Sequence, residues 1–327
     1  MTIRALSLRG LWRDPAVFGG ALFVVLLAAS ILQDASIVSP RFLTGSVSVA
    51  VPLVIGAMAI TPAILSGGGG MDLSVGPLMG FINVLVVTVL MQAHLGDWWI
   101  AVPLLLLVGL AVGAVNGWLV AVVRLQPIVA TLGTYLVLSG ANLWLLPTPL
   151  GPVPAWFGAL ARPWFGIPGP LAFVVGPALI WFVLCRTPFL KTLLAVGGDD
   201  RVAYSCGIDV GLVRIIAYAI GGLFSAFAGL ALTALIQSAD ANVGPPYTLQ
   251  VITAAALGGI SLAGGRGRMW GSVFGAMTLF LIQNLMTNQG VSVFWQQVVF
   301  GATLIAALVL NALSGMVAGS GRAEARS

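Results

Sequence analysis

Long apolar runs, interrupted by charges, Pro/Gly clusters or polar turns, make up most of this chain. Ten can be drawn, at roughly 16–33, 45–66, 77–93, 100–123, 127–146, 171–185, 214–236, 248–263, 269–287 and 294–313. A hydrocarbon layer about 30 Å thick needs about 20 apolar residues per helical crossing, so each run is long enough, or nearly so, to cross it. The runs at 171–185 and 248–263 are the shortest, which leaves room for a pair of half-helices. The pattern predicts an all-α, polytopic transmembrane helical bundle of about ten helices, filling 1–327 as a single domain.

Composition excludes the soluble alternative. Hydrophobic residues make up 59% of the 327 positions and charged residues 7%, against roughly a quarter charged in a soluble domain. Arg4, Arg9 and Arg13 precede the run Ala16–Leu32 as in a signal peptide, but Gln33-Asp34 follows without a small-residue cleavage site, so a retained first helix is expected. With the N-terminus inside, Arg4, Arg9, Arg13, Arg124, Arg186, Lys191, Arg201, Arg214, Arg266, Arg268, Arg322 and Arg326 fall in cytoplasmic connections, and only Arg41 and Arg162 fall outside. That bias predicts both termini cytoplasmic. The net charge of +5 then reflects the membrane surface and needs no nucleic acid as partner.

Two connections are long. Pro147–Pro170, outside, carries Trp156, Phe157, Trp164 and Phe165, suited to the membrane interface. The inner one, 186–214, is the most polar stretch of the chain; Cys185 and Cys206 lie around it on the reducing side, where a structural disulfide is not expected. A weak internal echo relates Gly69–Gly76 to Gly258–Gly265, with four of eight positions identical, suggestive of the repeats common in transporters.

Enzymatic chemistry has little to work with. His94 is the only histidine, and no His/Cys/carboxylate cluster offers a metal site. The only lysine, Lys191, follows Leu190, which breaks the phosphate-loop pattern. No cofactor is expected, and ATP would have to be hydrolysed by a partner.

Gly67–Gly70 is costly inside a helix, at about 1 kcal/mol per glycine relative to alanine, so the chain should turn or unwind there. Either an ordinary turn or a broken helix lining a cavity fits, with Asp72 capping the next helix beside Ser74. Amides and hydroxyls recur within the apolar runs, among them Asn83, Asn116, Thr131, Thr134, Asn142, Gln250, Thr253, Gln283, Asn284, Gln296 and Gln297. Each can be interhelical glue; together they offer neutral donors and acceptors to a hydroxylated solute. Gly69, Gly70, Asp72, Ser74, Asn83, Asn116, Thr131, Asn142 and Asn284 are the residues expected along a translocation path.

Four motifs in order carry a family resemblance: Gly68-Gly69-Gly70-Met71-Asp72-Leu73-Ser74-Val75-Gly76; Asn116-Gly117 followed by Pro127-Ile128-Val129-Ala130-Thr131-Leu132-Gly133-Thr134; Leu257-Gly258-Gly259-Ile260-Ser261-Leu262-Ala263-Gly264-Gly265-Arg266-Gly267; and Phe294-Trp295-Gln296-Gln297. With these the chain resembles the permease subunits of bacterial ATP-binding-cassette importers for ribose, xylose, galactose and related sugars, within the branched-chain amino acid permease superfamily. The inner connection resembles the coupling segment of that family at Gly197, Gly198, Asp199, Asp200, Arg201, Ala203, Gly207 and Ile208, although Arg201 and Val202 depart from its acidic and small residues. The resemblance implies a second permease subunit, identical or a sister chain, with a path along the interface. It also implies cytoplasmic ATP-binding subunits and a periplasmic sugar-binding protein that delivers the cargo. A nucleoside, an autoinducer or a branched-chain amino acid are alternative cargoes. An ion-coupled secondary transporter is the reading from another class, which the scarcity of intramembrane charge disfavours.

Within the coupling segment, Gly197 and Gly198 are expected to turn the chain from the membrane, Asp199 or Asp200 to cap a short helix, and Gly207 to end it. Ala203 is expected on the face that meets the ATP-binding partner.

Overall fold

The computed structural model describes residues 15–33, 39–164 and 167–324; Arg4, Arg9, Arg13, Asp34, Phe165 and Arg326 lie outside them. The helices are α1 (Pro15–Gln33), α2 (Pro40–Leu65), α3 (Val75–Leu85, prolonged by a π-helical turn at Val86–Leu90), α4 (Trp98–Ala121), α5 (Pro127–Leu145), α6 (Ala155–Ala161), α7 (Ala172–Arg186, entered through a 3-10 turn at Gly169–Leu171), α8 (Phe189–Gly198), α9 (Asp200–Ser205), α10 (Val210–Ile236), α11 (Pro246–Leu257), α12 (Met269–Asn288) and α13 (Val293–Glu324). Ten of them occupy the ten apolar runs, while α6 lies in the 147–170 connection and α8 and α9 in the 186–214 connection. Among the described residues the only extended pairing is two isolated bridges, Leu150–Ala239 and Trp164–Ile167.

Among the described residues, six helices are long and apolar enough to cross a membrane: Thr44–Leu65, Trp98–Ala121, Pro127–Leu145, Gly169–Arg186, Val210–Ile236 and Met269–Asn288. Of the two short runs, 171–185 gains length from its 3-10 entry, whereas α11 ends at Leu257 because Gly258 and the left-handed Gly259 break it. With twelve residues, α11 is roughly 18 Å long, a half-helix.

Helices α2 and α10 form the centre and are the most buried of the six. Their approach depends on small residues, because lipid gives helices no hydrophobic reason to associate and close packing must replace it. Gly221 of α10 lies against the Ala59 carbonyl of α2, and Gly109, Gly113 and Gly117 form a stripe on α4 that meets Gly222, Tyr218 and Ile215 of α10. The opposite faces of α4, α5 and α7 expose Leu107, Val115, Leu136, Val137, Leu179 and Val183, with Trp98, Trp99 and Trp144 at helix ends. An apolar surface of that kind fits lipid, with tryptophans at its margins.

One aromatic of the 147–170 connection departs from the exposed place expected of it. Phe157 is fully buried and stacks on Trp156 with ring centroids 3.8 Å apart. The indole N–H of Trp156 donates to the Gly96 carbonyl at 2.8 Å, so this pair clamps the connection onto the bundle; Trp164 does stay exposed. Cys185 and Cys206 are free and exposed.

Candidate functional site

The Gly-rich segment is a tight turn that leads into an irregular stretch between α2 and α3. Gly67, Gly68 and Gly69 all have positive φ, near 75°, 63° and 74°, a region that side-chain-bearing residues rarely enter. Gly68 and Gly69 are exposed. Gly70 leaves no free space of its own, since a Cβ there would run into the Ala63 carbonyl oxygen. Its side chain is absent because the backbone passes close, and no void results.

This turn meets two other glycine pairs. The amide of Gly265 donates to the Leu65 carbonyl at 3.2 Å. A Cβ on Gly197 would run into that same carbonyl oxygen and come within 2.6 Å of the Gly265 nitrogen, and one on Gly264 would run into Gly67. Gly264-Gly265, the end of one of the segments that echo each other in sequence, thus touches the chain at Leu65 and Gly67, just ahead of the other, and the end of α8 is locked between them. Gly197 and Gly198 belong to the last turn of α8, so the predicted bend at the glycines is corrected: the chain turns at Asp199, whose backbone is extended at φ −159° and ψ 106°.

Asp199 does cap α9, its Oδ1 accepting from the amides of Arg201 (3.0 Å) and Val202 (3.1 Å). Gly207, at φ 81°, closes the helix, and the Ile208 amide donates back to the Ala203 carbonyl. Asp200 pairs with Arg214 at the root of α10, Oδ2 to Nη2 3.1 Å, and Arg214 in turn lies over Gly68. Sequence reasoning left Arg214 out of the site. Ala203 is only 3% exposed and packs in the core, while Val202 and Tyr204 on either side are 59% and 75% exposed. The expectation that Ala203 faces a partner is therefore reversed, because the methyl anchors α9 and its two neighbours point away. Arg201 is exposed and Ile208 half-buried.

The polar residues inside the bundle pair with one another. Ser74, not Asp72, occupies the N-cap of α3. Asp72 Oδ1 accepts from the Ser74 amide (2.9 Å), the Ser74 hydroxyl (2.6 Å) and the Asn116 amide (3.5 Å). Asn116 also donates to Ser74 Oγ at 2.8 Å and accepts from the Thr134 hydroxyl at 2.5 Å. Thr131 reaches the Met71 carbonyl at 3.2 Å. Together these pin the irregular 66–74 stretch to α4 and α5. Farther out, Asn83 donates to Thr233 Oγ1 (3.0 Å) and the Ser238 carbonyl (2.8 Å) and accepts from the Asp240 amide (2.9 Å). Asn142 donates to the Pro77 carbonyl at 3.2 Å. Asp72, Ser74, Asn83, Asn116, Thr131 and Asn142 are all buried. Asn284 stands apart, half-buried on α12 and accepting from Asn288.

The Asp72 network makes a stability prediction. Asp72→Asn keeps an accepting oxygen and should melt close to the parent in detergent. Asp72→Ala removes the acceptor of the Ser74 amide and hydroxyl, while Asn116 keeps its bond to Ser74 Oγ; at a cost of about 1–3 kcal/mol it should melt measurably lower. Equal melting of the two variants would show that the network does not hold the turn.

A second irregular stretch, 237–245, precedes α11. It starts at Gln237, left-handed at φ 53°, and brings Gly244 against Gly76 and Gly80 of α3. Thr248 Oγ1 donates to the Leu73 carbonyl at 3.3 Å, so the two breaks in the helical backbone support each other.

A family model described as "Branched-chain amino acid transport system / permease component" matches residues 42–308. The ribose import permease protein RbsC of Bacillus subtilis (strain 168) is 34% identical, over 89% of this chain and 90% of its own length. The galactose/methyl galactoside import permease protein MglC of Escherichia coli (strain K12) is 29% identical over 89% and 92%. The probable ABC transporter permease protein YphD of Escherichia coli (strain K12) is 35% identical over 79% and 78%. No solved structure matches the chain. With its bundle of apolar helices and a family match over most of its length, the chain belongs to the permease component family of branched-chain amino acid transport systems.

Proposed function

We propose that this chain is the membrane-spanning permease subunit of an ATP-binding-cassette importer, that it carries a monosaccharide of the ribose, xylose or galactose kind, and that a periplasmic binding protein delivers the cargo. The observation that carries this reading is the short capped helix α9, which presents Val202 and Tyr204 outward and is tied through Asp200–Arg214 and the Gly197 junction to the break before α3. Such an arrangement suits the transmission of movement from an ATP-binding subunit to the bundle. The ribose and galactose import permeases among its relatives support the sugar cargo. The reading places both termini and the 186–214 connection in the cytoplasm, with the chain in the bacterial inner membrane beside a second permease subunit, the path running between the two.

In this reading Gly197, Gly198, Asp199, Asp200, Arg201, Ala203, Gly207 and Ile208 build the coupling unit. Asp72, Ser74, Asn83, Asn116, Thr131 and Asn142 hold the irregular backbone that forms the path wall, while Gly69 and Asn284, which are accessible, lie nearer the path; Gly70 serves by letting the backbone pass. The family description favours one second cargo, a branched-chain amino acid. Its ammonium and carboxylate groups would call for charged partners at membrane depth, and the buried Asp72 is already paired with neutral donors.

The test is uptake by vesicles that contain the chain with its ATP-binding and binding-protein partners. Labelled D-ribose or D-galactose should enter only with ATP, unlabelled leucine should not compete, and proton and sodium ionophores should have no effect on the parent or on Asp72→Asn. Uptake driven by an ion gradient without ATP would overturn the class, and competition by leucine would shift the cargo.

A further inference from the structure

A cavity of about 220 Å³ opens between α2, α11 and α12, lined by Val49, Leu53, Tyr247, Gln250, Phe280 and Gln283. At 1.5 Å per residue, Leu53 is roughly 18 Å from the Leu65 end of α2, Gln283 roughly 21 Å from the Met269 end of α12, and Gln250 roughly 12 Å from the Gly258 end of α11. Within a hydrocarbon layer about 30 Å thick, these depths centre on the middle of the membrane. The half-helix α11 starts there, after the irregular 237–245 stretch, and irregular backbone at such depth persists where it is buried in protein or lines a cavity.

Of the other amides at depth, Asn83 makes three hydrogen bonds, Asn116 bonds to Ser74 and Thr134, and Asn142 donates to the Pro77 carbonyl while its Oδ1 has no partner among the described residues. Among the described residues neither Gln250 nor Gln283 has a side-chain hydrogen-bond partner. An amide left unpaired in an apolar layer is expensive, so two of them around one cavity call for a polar occupant. Each offers a donor and an acceptor, as a hydroxyl group requires. Tyr247 and Phe280 add rings that can lie against the C–H face of a sugar ring. No ionisable group other than the Tyr247 phenol lines the cavity. Its volume is below the roughly 300–1,000 Å³ usual for drug-sized ligands, as suits a small solute held weakly.

We infer that this cavity is a transit subsite for a neutral, polyhydroxylated solute, in which Gln250 and Gln283 supply the hydrogen bonds exchanged as the solute sheds water. The inference rests on the importer reading and assigns to it a specific contact point.

D-Ribose and D-galactose serve as probes in the vesicle system with ATP-binding and binding-protein partners present. Gln250→Leu and Gln283→Leu are each expected to lower sugar uptake about tenfold, with membrane yield, partner association and ATP hydrolysis at parent level, so that more ATP is consumed per sugar imported. Gln→Asn at the same positions should restore part of the uptake, which a packing role would not allow. If leucine lowers membrane yield, the unbranched Gln→Met variants give the same reading. Parent-level uptake and coupling in the Leu or Met variants overturns the subsite while leaving the importer reading intact. A parent chain that imports neither sugar with ATP removes both.

Discussion

Gly197→Ala is expected to abolish ATP-driven uptake, whereas Gly198→Ala, one residue later in the same helical turn, should leave it at the parent level. The contrast follows from what each new methyl would meet. At Gly197 the Cβ would run into the Leu65 carbonyl oxygen and sit 2.6 Å from the Gly265 nitrogen, across the 3.2 Å hydrogen bond that joins those two residues. Every atom in its way is backbone, so no side chain can rotate aside. Overpacking costs about 1–3 kcal/mol, and loss of the hydrogen bond adds about 1 kcal/mol. At Gly198 a Cβ meets nothing within 4 Å, and alanine is the better helix former by about 1 kcal/mol. Melting of the detergent-solubilised protein should therefore fall for Gly197→Ala and hold or rise for Gly198→Ala, with uptake following the same order. If Gly197→Ala melts and transports like the parent, the three glycine segments do not act as one junction.

The ten helices were legible because apolar length is a strong signal and because charges and Pro/Gly clusters punctuate it. Shortness alone pointed to the sixth and eighth runs as a pair of half-helices, and it held for the eighth only, because a 3-10 entry lengthens the sixth and Gly258-Gly259 cuts the eighth at Leu257. What could not be read was orientation at single-residue scale. Ala203 lies among exposed neighbours in a polar stretch, and only the packing of α9 on the bundle shows that its methyl points inward. Gly197 and Gly198 look equivalent in sequence, yet the backbone that crowds one of them comes from residues 65 and 265, far away along the chain.

The same distance effect explains the site residues. Asp72, Ser74 and Asn116 stood out as polar groups in apolar surroundings, but their pairing joins positions 44 residues apart, which one sequence cannot reveal. Arg214 was visible only as one of the charges expected on the cytoplasmic side, and its place beside Asp200 and Gly68 depends on the fold of the whole 186–214 connection. One missed signal was available: Gly109, Gly113 and Gly117, spaced by four on α4, are the usual mark of a close helix contact.

Tyr204→Glu is expected to weaken association with the ATP-binding subunit at least tenfold and to lower uptake in parallel, without changing the melting of the isolated chain. Helix α9 has six residues, too few to persist in water unaided. The chain holds it by the Asp199 cap, the left-handed Gly207, the buried Ala203 and the Asp200–Arg214 pair. A helix held so firmly, with Tyr204 and Val202 left 75% and 59% exposed on it, presents apolar anchors outward instead of burying them. An aromatic anchor removed from a docking surface typically costs about 2 kcal/mol or more, and a carboxylate in its place adds desolvation. Ala203→Glu should behave differently, since its carboxylate would have to enter the core unpaired: melting should fall first, and partner binding only as a consequence. Association measured by co-purification and titration, beside melting curves for both variants, separates the two cases. A Tyr204→Glu chain that keeps its ATP-binding subunit at parent affinity would show that the exposed face of α9 is not where the partner docks.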